Sequence, residues 1–183
     1  MKKRKKEKIE IRCFGKLSIK MGNVEMGSIM NSQKARELIA FLMTYGGNSV
    51  KKAIVCDALW SNRSPKHSAD SLYKLVRKIK AMPIPFHIEC KRNIIQFHLD
   101  NVNSDLTDFL NYVKDRNNIN AMESAVLLYQ GTLFEEEDYE WIIQKEGKFD
   151  MLYLDALQHL SDYYVGTGNK SKARYYEALM DQF

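Results

Sequence analysis

From Ile9 onward, apolar residues fall on alternate positions: Ile9, Ile11, Cys13, Leu17, Ile19 and Met21, with mostly polar residues between them. A period of two is that of a strand with one buried face. Breaks at Gly15 and at Gly22-Asn23 predict short antiparallel strands joined by turns. The period changes after Asn31-Ser32, a good helix N-cap. Ala35, Leu38, Ile39, Leu42 and Met43 then mark one apolar stripe of an amphipathic helix, and Gly46-Gly47 ends it.

A second helix is predicted from about Lys52 to Trp60, burying Ile54, Ala58, Leu59 and Trp60. Ser61–His67, with Pro65, reads as a turn. A third helix is predicted over 68–82, stopped by Pro83 and Pro85. Two alternating runs follow, Phe86, Ile88, Cys90 and then Ile95, Phe97, Leu99. The polar turn Lys91-Arg92-Asn93 between them makes a hairpin over 86–99. Strands, three helices and a hairpin are the order of an α+β winged helix-turn-helix, and strands ahead of the first helix make it the OmpR-like variety. This module spans 9–100, behind a basic tail at 1–8.

Residues 104–183 predict helices throughout. Ser104 caps a helix bearing Leu106, Phe109, Leu110 and Val113. Asn120 with Glu123 resembles a capping box for the next, which carries Val126, Leu128 and Tyr129. After the loop 130–134 and the acidic run Glu135–Asp138, a long helix is expected from about Glu140 to Val165. A turn at Gly166–Asn169 leads to a last helix with Ala173, Tyr176 and Leu179. Leu160, Tyr164, Gly168 and Ala173 match part of a tetratricopeptide repeat, although Glu177 stands where an aromatic is expected. A single such hairpin wants a neighbour on its apolar face: further chain, a partner or a second copy.

Charge separates the two modules. Residues 1–100 hold 21 Lys and Arg against 8 Asp and Glu, a net of +13, whereas 101–183 hold 7 against 15, a net of −8. The whole chain of 183 residues shows only +5. A basic first module calls for a polyanion. On the third predicted helix, Leu72, Leu75, Val76 and Ile79 form the buried stripe, and Asp70, Lys74, Arg77 and Ala81 the opposite line. Lys74 and Arg77 are placed to read base edges in the major groove of double-stranded DNA, and Tyr73 and Lys78 to touch phosphates. Lys91 and Arg92 at the hairpin tip would meet the backbone or minor groove, and Lys51 and Lys52 a phosphate. For Asp70, dipole compensation in a first helical turn is explanation enough.

The combination resembles the Streptomyces antibiotic regulatory protein family, which joins an OmpR-like winged helix to a bacterial transcriptional activator domain of tetratricopeptide-like helices. The likeness is carried by Phe14-Gly15, by Ser32-Gln33-Lys34-Ala35-Arg36-Glu37-Leu38, by Asp57-Ala58-Leu59-Trp60, and by Leu72, Val76 and Ile79. In the second module it is carried by Leu128-Tyr129-Gln130-Gly131 followed by Glu137, Tyr139 and Trp141. The resemblance implies promoter binding at repeated sites and contact with RNA polymerase or another partner, with the helical module serving that contact or self-association. Family activator domains run beyond Phe183, so the second module is expected to be incomplete.

Other chemistries fit less well. His87, Cys90 and His98 suggest zinc, but alternation sends Cys90 to the opposite face and no fourth ligand is evident, so no metal site is expected. No phosphate-binding glycine loop occurs. Four scattered histidines and no nucleophile motif predict neither an enzyme nor a cofactor. No apolar run reaches bilayer length and no export signal follows MKKRKKEK, and the odd, scattered Cys13, Cys56 and Cys90 fit a reducing cytoplasm. The competing reading is a protein-interaction adaptor whose winged helix no longer binds DNA. Such an adaptor has no need of the cationic line on the third helix.

Overall fold

The computed structural model describes residues 8–84 and 86–183. Residues 1–7 of the expected basic tail and the expected breaker Pro85 lie outside the described residues. β1 (Ile9–Arg12) and β2 (Ser18–Met21) pair antiparallel with Ile11 opposite Ile19, and β3 (Val24–Glu25) extends the sheet. Ile9, Ile11 and Ile19 are buried while Glu10, Arg12 and Lys20 face solvent, as alternation requires. A one-turn helix, α1 (Gly27–Met30), precedes α2 (Gln33–Met43), whose N-cap is Ser32.

The expected single stripe of α2 is wider in the fold. Leu38 to Met43 are buried without interruption. The physical reason is the second module, which covers the side away from the winged helix: the Trp141 ring meets Phe41 edge-on at 5.0 Å. β4 (Val50–Lys51) leads into α3 (Lys52–Leu59), then α4 (Pro65–Lys80), β5 (His87–Lys91) and β6 (Ile94–His98). β4, β6 and β5 make a three-stranded sheet in that order. Helix α3 buries Val55, Cys56 and Leu59, and Ile54, expected inside, is 44 % exposed because the buried face is turned by one position.

Residues 102–104, where the sequence predicts a junction and the start of the helical module, form β7 (Val102–Ser104), which joins the first sheet parallel to β1. Asp105 opens α5 (Asp105–Tyr112), and its carboxylate accepts hydrogen bonds from the N–H groups of Cys13 (2.8 Å), Phe14 (3.1 Å) and Leu106 (2.7 Å). Burial raises its pKa although these three donors pull the other way.

α6 (Ile119–Leu128) starts two residues earlier than a cap at Asn120 implies. Asn118 is the N-cap, its side chain accepting from Ala121 N at 3.1 Å. Glu123, expected to close a capping box, instead takes hydrogen bonds through one oxygen from Tyr164, Lys172 and Tyr176. α7 (Ile142–Gly166) and α8 (Lys170–Asp181) form the expected hairpin. Tyr176 supplies the aromatic that Glu177 does not, stacking on Tyr164 with centroids 5.9 Å apart.

The modules share one core. Phe14 inserts among Tyr129, Phe109 and Phe149, at 4.7, 5.1 and 6.3 Å between centroids. Around it the loop 131–135 adds to the strand end like an extra strand: Gly15 N donates to Thr132 O (2.8 Å) and Phe134 N to Cys13 O (2.8 Å). The acidic run is part of this junction, with Glu136 on Lys16 and Glu137 on Arg36.

Candidate nucleic-acid interface

Helix α4 begins at Pro65, inside the stretch expected to be a turn, and ends at Lys80. Proline is at home here, because the first helical residue needs no N–H partner and its φ is preset. Ser64, extended, is the N-cap, and Ser68 Oγ donates back to the carbonyls of Ser64 and Pro65. Leu72, Leu75, Val76 and Ile79 are buried as predicted.

The opposite side is open. Lys66, Tyr73, Arg77 and Lys80 follow one another at helical spacing, flanked by Lys74 and Lys78, and every one is exposed. Tyr73 is 67 % exposed, a high value for so large a ring. From Lys66 to Lys80 the line runs about 21 Å at the rise of an α-helix. Neither Lys74 nor Arg77 is covered by the acidic module. Lys78 Nζ reaches Ser32 Oγ at 3.3 Å, and Asp70, expected in the first turn, stands exposed in the second because the helix starts at Pro65.

Three elements bring the remaining cations to this side. Lys51 pairs with Ile94 in the β4–β6 ladder, and Lys52 N donates to Asn93 O at 2.8 Å. The start of α3 is thereby tied to the tip of the β5–β6 hairpin. Lys51, Lys52, Tyr73 and Arg92 consequently line one cleft of about 880 Å³, floored by Cys56, Leu72 and Cys90. Lys91 is also exposed but pairs with Glu89 at 2.5 Å, which offsets part of its charge. Arg92 has φ +43°, a left-handed conformation usual for glycine or asparagine at such a turn.

Residues missed from the sequence are Lys66 and Lys80. Lys66 falls outside a helix predicted from Ser68 because Pro65 reads as a turn residue, and Pro-x-x-Ser after a serine is the sign of a helix start. Lys80 lies seven residues after Tyr73, so a wheel centred on Tyr73 rather than Asp70 finds it.

No protein-family model matches the sequence, and no curated protein is detectably similar to it. Among solved structures it resembles Mycobacterium tuberculosis EmbR in complex with a low-affinity phosphopeptide, with a TM-score of 0.74 and 14 % identity. The two chains share a fold. The match covers 96 % of this chain and 51 % of the EmbR chain, so this chain spans about half the length of that relative. At 14 % identity the likeness speaks for architecture, and the site must be argued from its own residues.

Proposed function

We propose that this protein is a sequence-specific DNA-binding transcriptional regulator of the Streptomyces antibiotic regulatory protein type. The observation that carries the reading is the uncovered cationic line of α4, with Lys51, Lys52 and Arg92 gathered beside it. In this reading α4 enters the major groove. Arg77 and Lys74 meet base edges, and Tyr73, Lys66, Lys78 and Lys80 meet phosphates. Arg92, helped by Lys91, follows the neighbouring backbone or minor groove, and Lys51 and Lys52 hold one phosphate.

The tetratricopeptide-like helices would serve RNA polymerase, another protein or a second copy of the chain. The reading includes no catalysis and a cytoplasmic setting. Among the described residues no helix is long and apolar enough to cross a membrane.

A salt titration of binding to duplex DNA tests the proposal. Contact with five phosphates gives a slope of log K against log salt of about −4 to −5. A slope near zero, or no binding to any fragment of a genomic pool, leaves only the adaptor reading.

A further inference from the structure

At the open end of the hairpin, away from its cationic tip, groups able to ligate a metal face one another. β5 and β6 hold His87 directly opposite His98, and the two rings stack at 4.2 Å between centroids with planes 20° apart. Asp100 follows two residues after His98. One ligand atom from each of His87, His98 and Asp100 lies within 4.8 Å of the other two. Glu89 shares the face of His87 by alternation and brings Oε2 to 3.7 Å from His98 Nε2. Cys90 points the other way, into the cleft beside α3 and α4.

Two observations set this apart from a chance surface grouping. His98 Nε2 is buried and has no hydrogen-bond partner among the described residues. A buried ring nitrogen ordinarily has one, and a bound ion or a water is what would satisfy it here. The second is the backbone register. Residues directly opposite in an antiparallel pair hold their Cβ atoms about 4.5–5.5 Å apart, so two imidazoles are already gathered before any ion arrives. The in-plane lone pairs of the two stacked rings run side by side, so the rings would turn out of their stack to converge with Asp100 at the ~2.0–2.2 Å of zinc bonds.

The donor set selects the metal. Two imidazoles and a carboxylate suit zinc and its neighbours in the first transition row, not magnesium or calcium, which take oxygen. Asp100 brings one negative charge to the ion, while Glu89 on the same face is engaged by Lys91.

We propose that His87, His98 and Asp100 form a binding site for a zinc-class divalent ion at the base of the wing. The next residue, Asn101, accepts a hydrogen bond from Ile9 N at 3.0 Å, so a bound ion would fasten the hairpin to the segment entering the first sheet. The inference stands independently of whether α4 reads DNA.

Zinc chloride titrated calorimetrically into the whole protein tests it. One ion per chain is expected, with affinity reduced at least about tenfold in His87→Ala and in His98→Gln. Cys90→Ser should leave it unaltered, and the cobalt form should lack a thiolate charge-transfer band. In the unmutated chain, the imidazole NMR signals of His87 and His98, and not those of His67 and His159, should shift on adding zinc, which covers the case of a variant that does not fold. No uptake by the unmutated protein overturns the proposal. So does uptake that survives loss of both histidines, that depends on Cys90, or that leaves the His87 and His98 signals in place.

Discussion

Arg36 and Glu137, 101 residues apart in sequence, meet in a two-point ion pair: Nε to Oε1 at 2.7 Å and Nη2 to Oε2 at 3.1 Å. Arg36 also donates to the Met30 carbonyl. Side-chain exposures of 21 % and 13 % keep the pair largely out of water. It locks α2 to the acidic run of the second module, on the helix that also carries the Phe41–Trp141 contact. The planar guanidinium fits a carboxylate with two parallel bonds, which a lysine ammonium cannot reproduce. Arg36→Lys should therefore lower stability to urea by about 1–2 kcal/mol. Glu137→Ala should cost more, because it leaves a partly buried cation unpaired. Unfolding of both modules in one transition is the expected form of the curve for the unmutated chain.

Gly131 should tolerate no side chain. It sits at φ +135°, and a Cβ there would meet Gly15 Cα at 3.2 Å and Glu135 Oε2 at 3.3 Å. The loop needs this close approach to bond the strand end at Gly15 and to seat Phe14 among the aromatic rings. Gly131→Ala is expected to destabilise by about 1–3 kcal/mol, read from the denaturant midpoint.

Stability should fall in acid partly through Glu123. The Lys172 ammonium, and then the hydroxyls of Tyr164 and Tyr176, hold its pKa below the ordinary carboxylate value. A depressed folded pKa adds stability above the unfolded value, and that stability is lost as pH falls through the folded one. The α6 contact with the α7–α8 hairpin should accordingly weaken below about pH 4. Tyrosine near-ultraviolet circular dichroism would follow it, and Glu123→Gln should flatten that part of the profile.

Arg77 and Arg92 should separate base reading from charge. Arg77→Ala is expected to reduce discrimination between a selected site and random DNA by about 1–3 kcal/mol. Arg92→Gly should lower affinity for all sequences alike and make the salt slope shallower by about one. Since glycine accepts positive φ freely, the same change should leave the fold as stable or stabilise it by up to about 1 kcal/mol. Lys91→Ala should matter less than Arg92→Gly, because Glu89 already engages Lys91. Equal binding of Arg77→Ala and the unmutated chain to a selected site would refute the assignment of base contacts.

Much of the candidate interface was legible because it follows local rules. Helical periodicity places Leu72, Leu75, Val76 and Ile79 inside and hence Tyr73, Lys74, Arg77 and Lys78 outside, whatever the helix packs against. Alternation likewise puts His87 and His98 on one face and Cys90 on the other. What escaped was context. Pro65 reads as a turn or a helix start depending on whether the residues after it are packed, and Lys66 moves with that choice. Ile54 looks buried until neighbouring helices decide which side of α3 turns inward.

The order of strands and helices, the outer face of α4 and the split of charge between the halves are properties of the chain itself, because backbone periodicity and residue charge act over a few positions. The joining of those halves is a property of the folded molecule alone. Phe14 among Phe109, Tyr129 and Phe149, Arg36 on Glu137, and Asp100 beside two cross-strand histidines depend on how distant segments meet. Long-range packing and pairing set those encounters, and no local pattern encodes them.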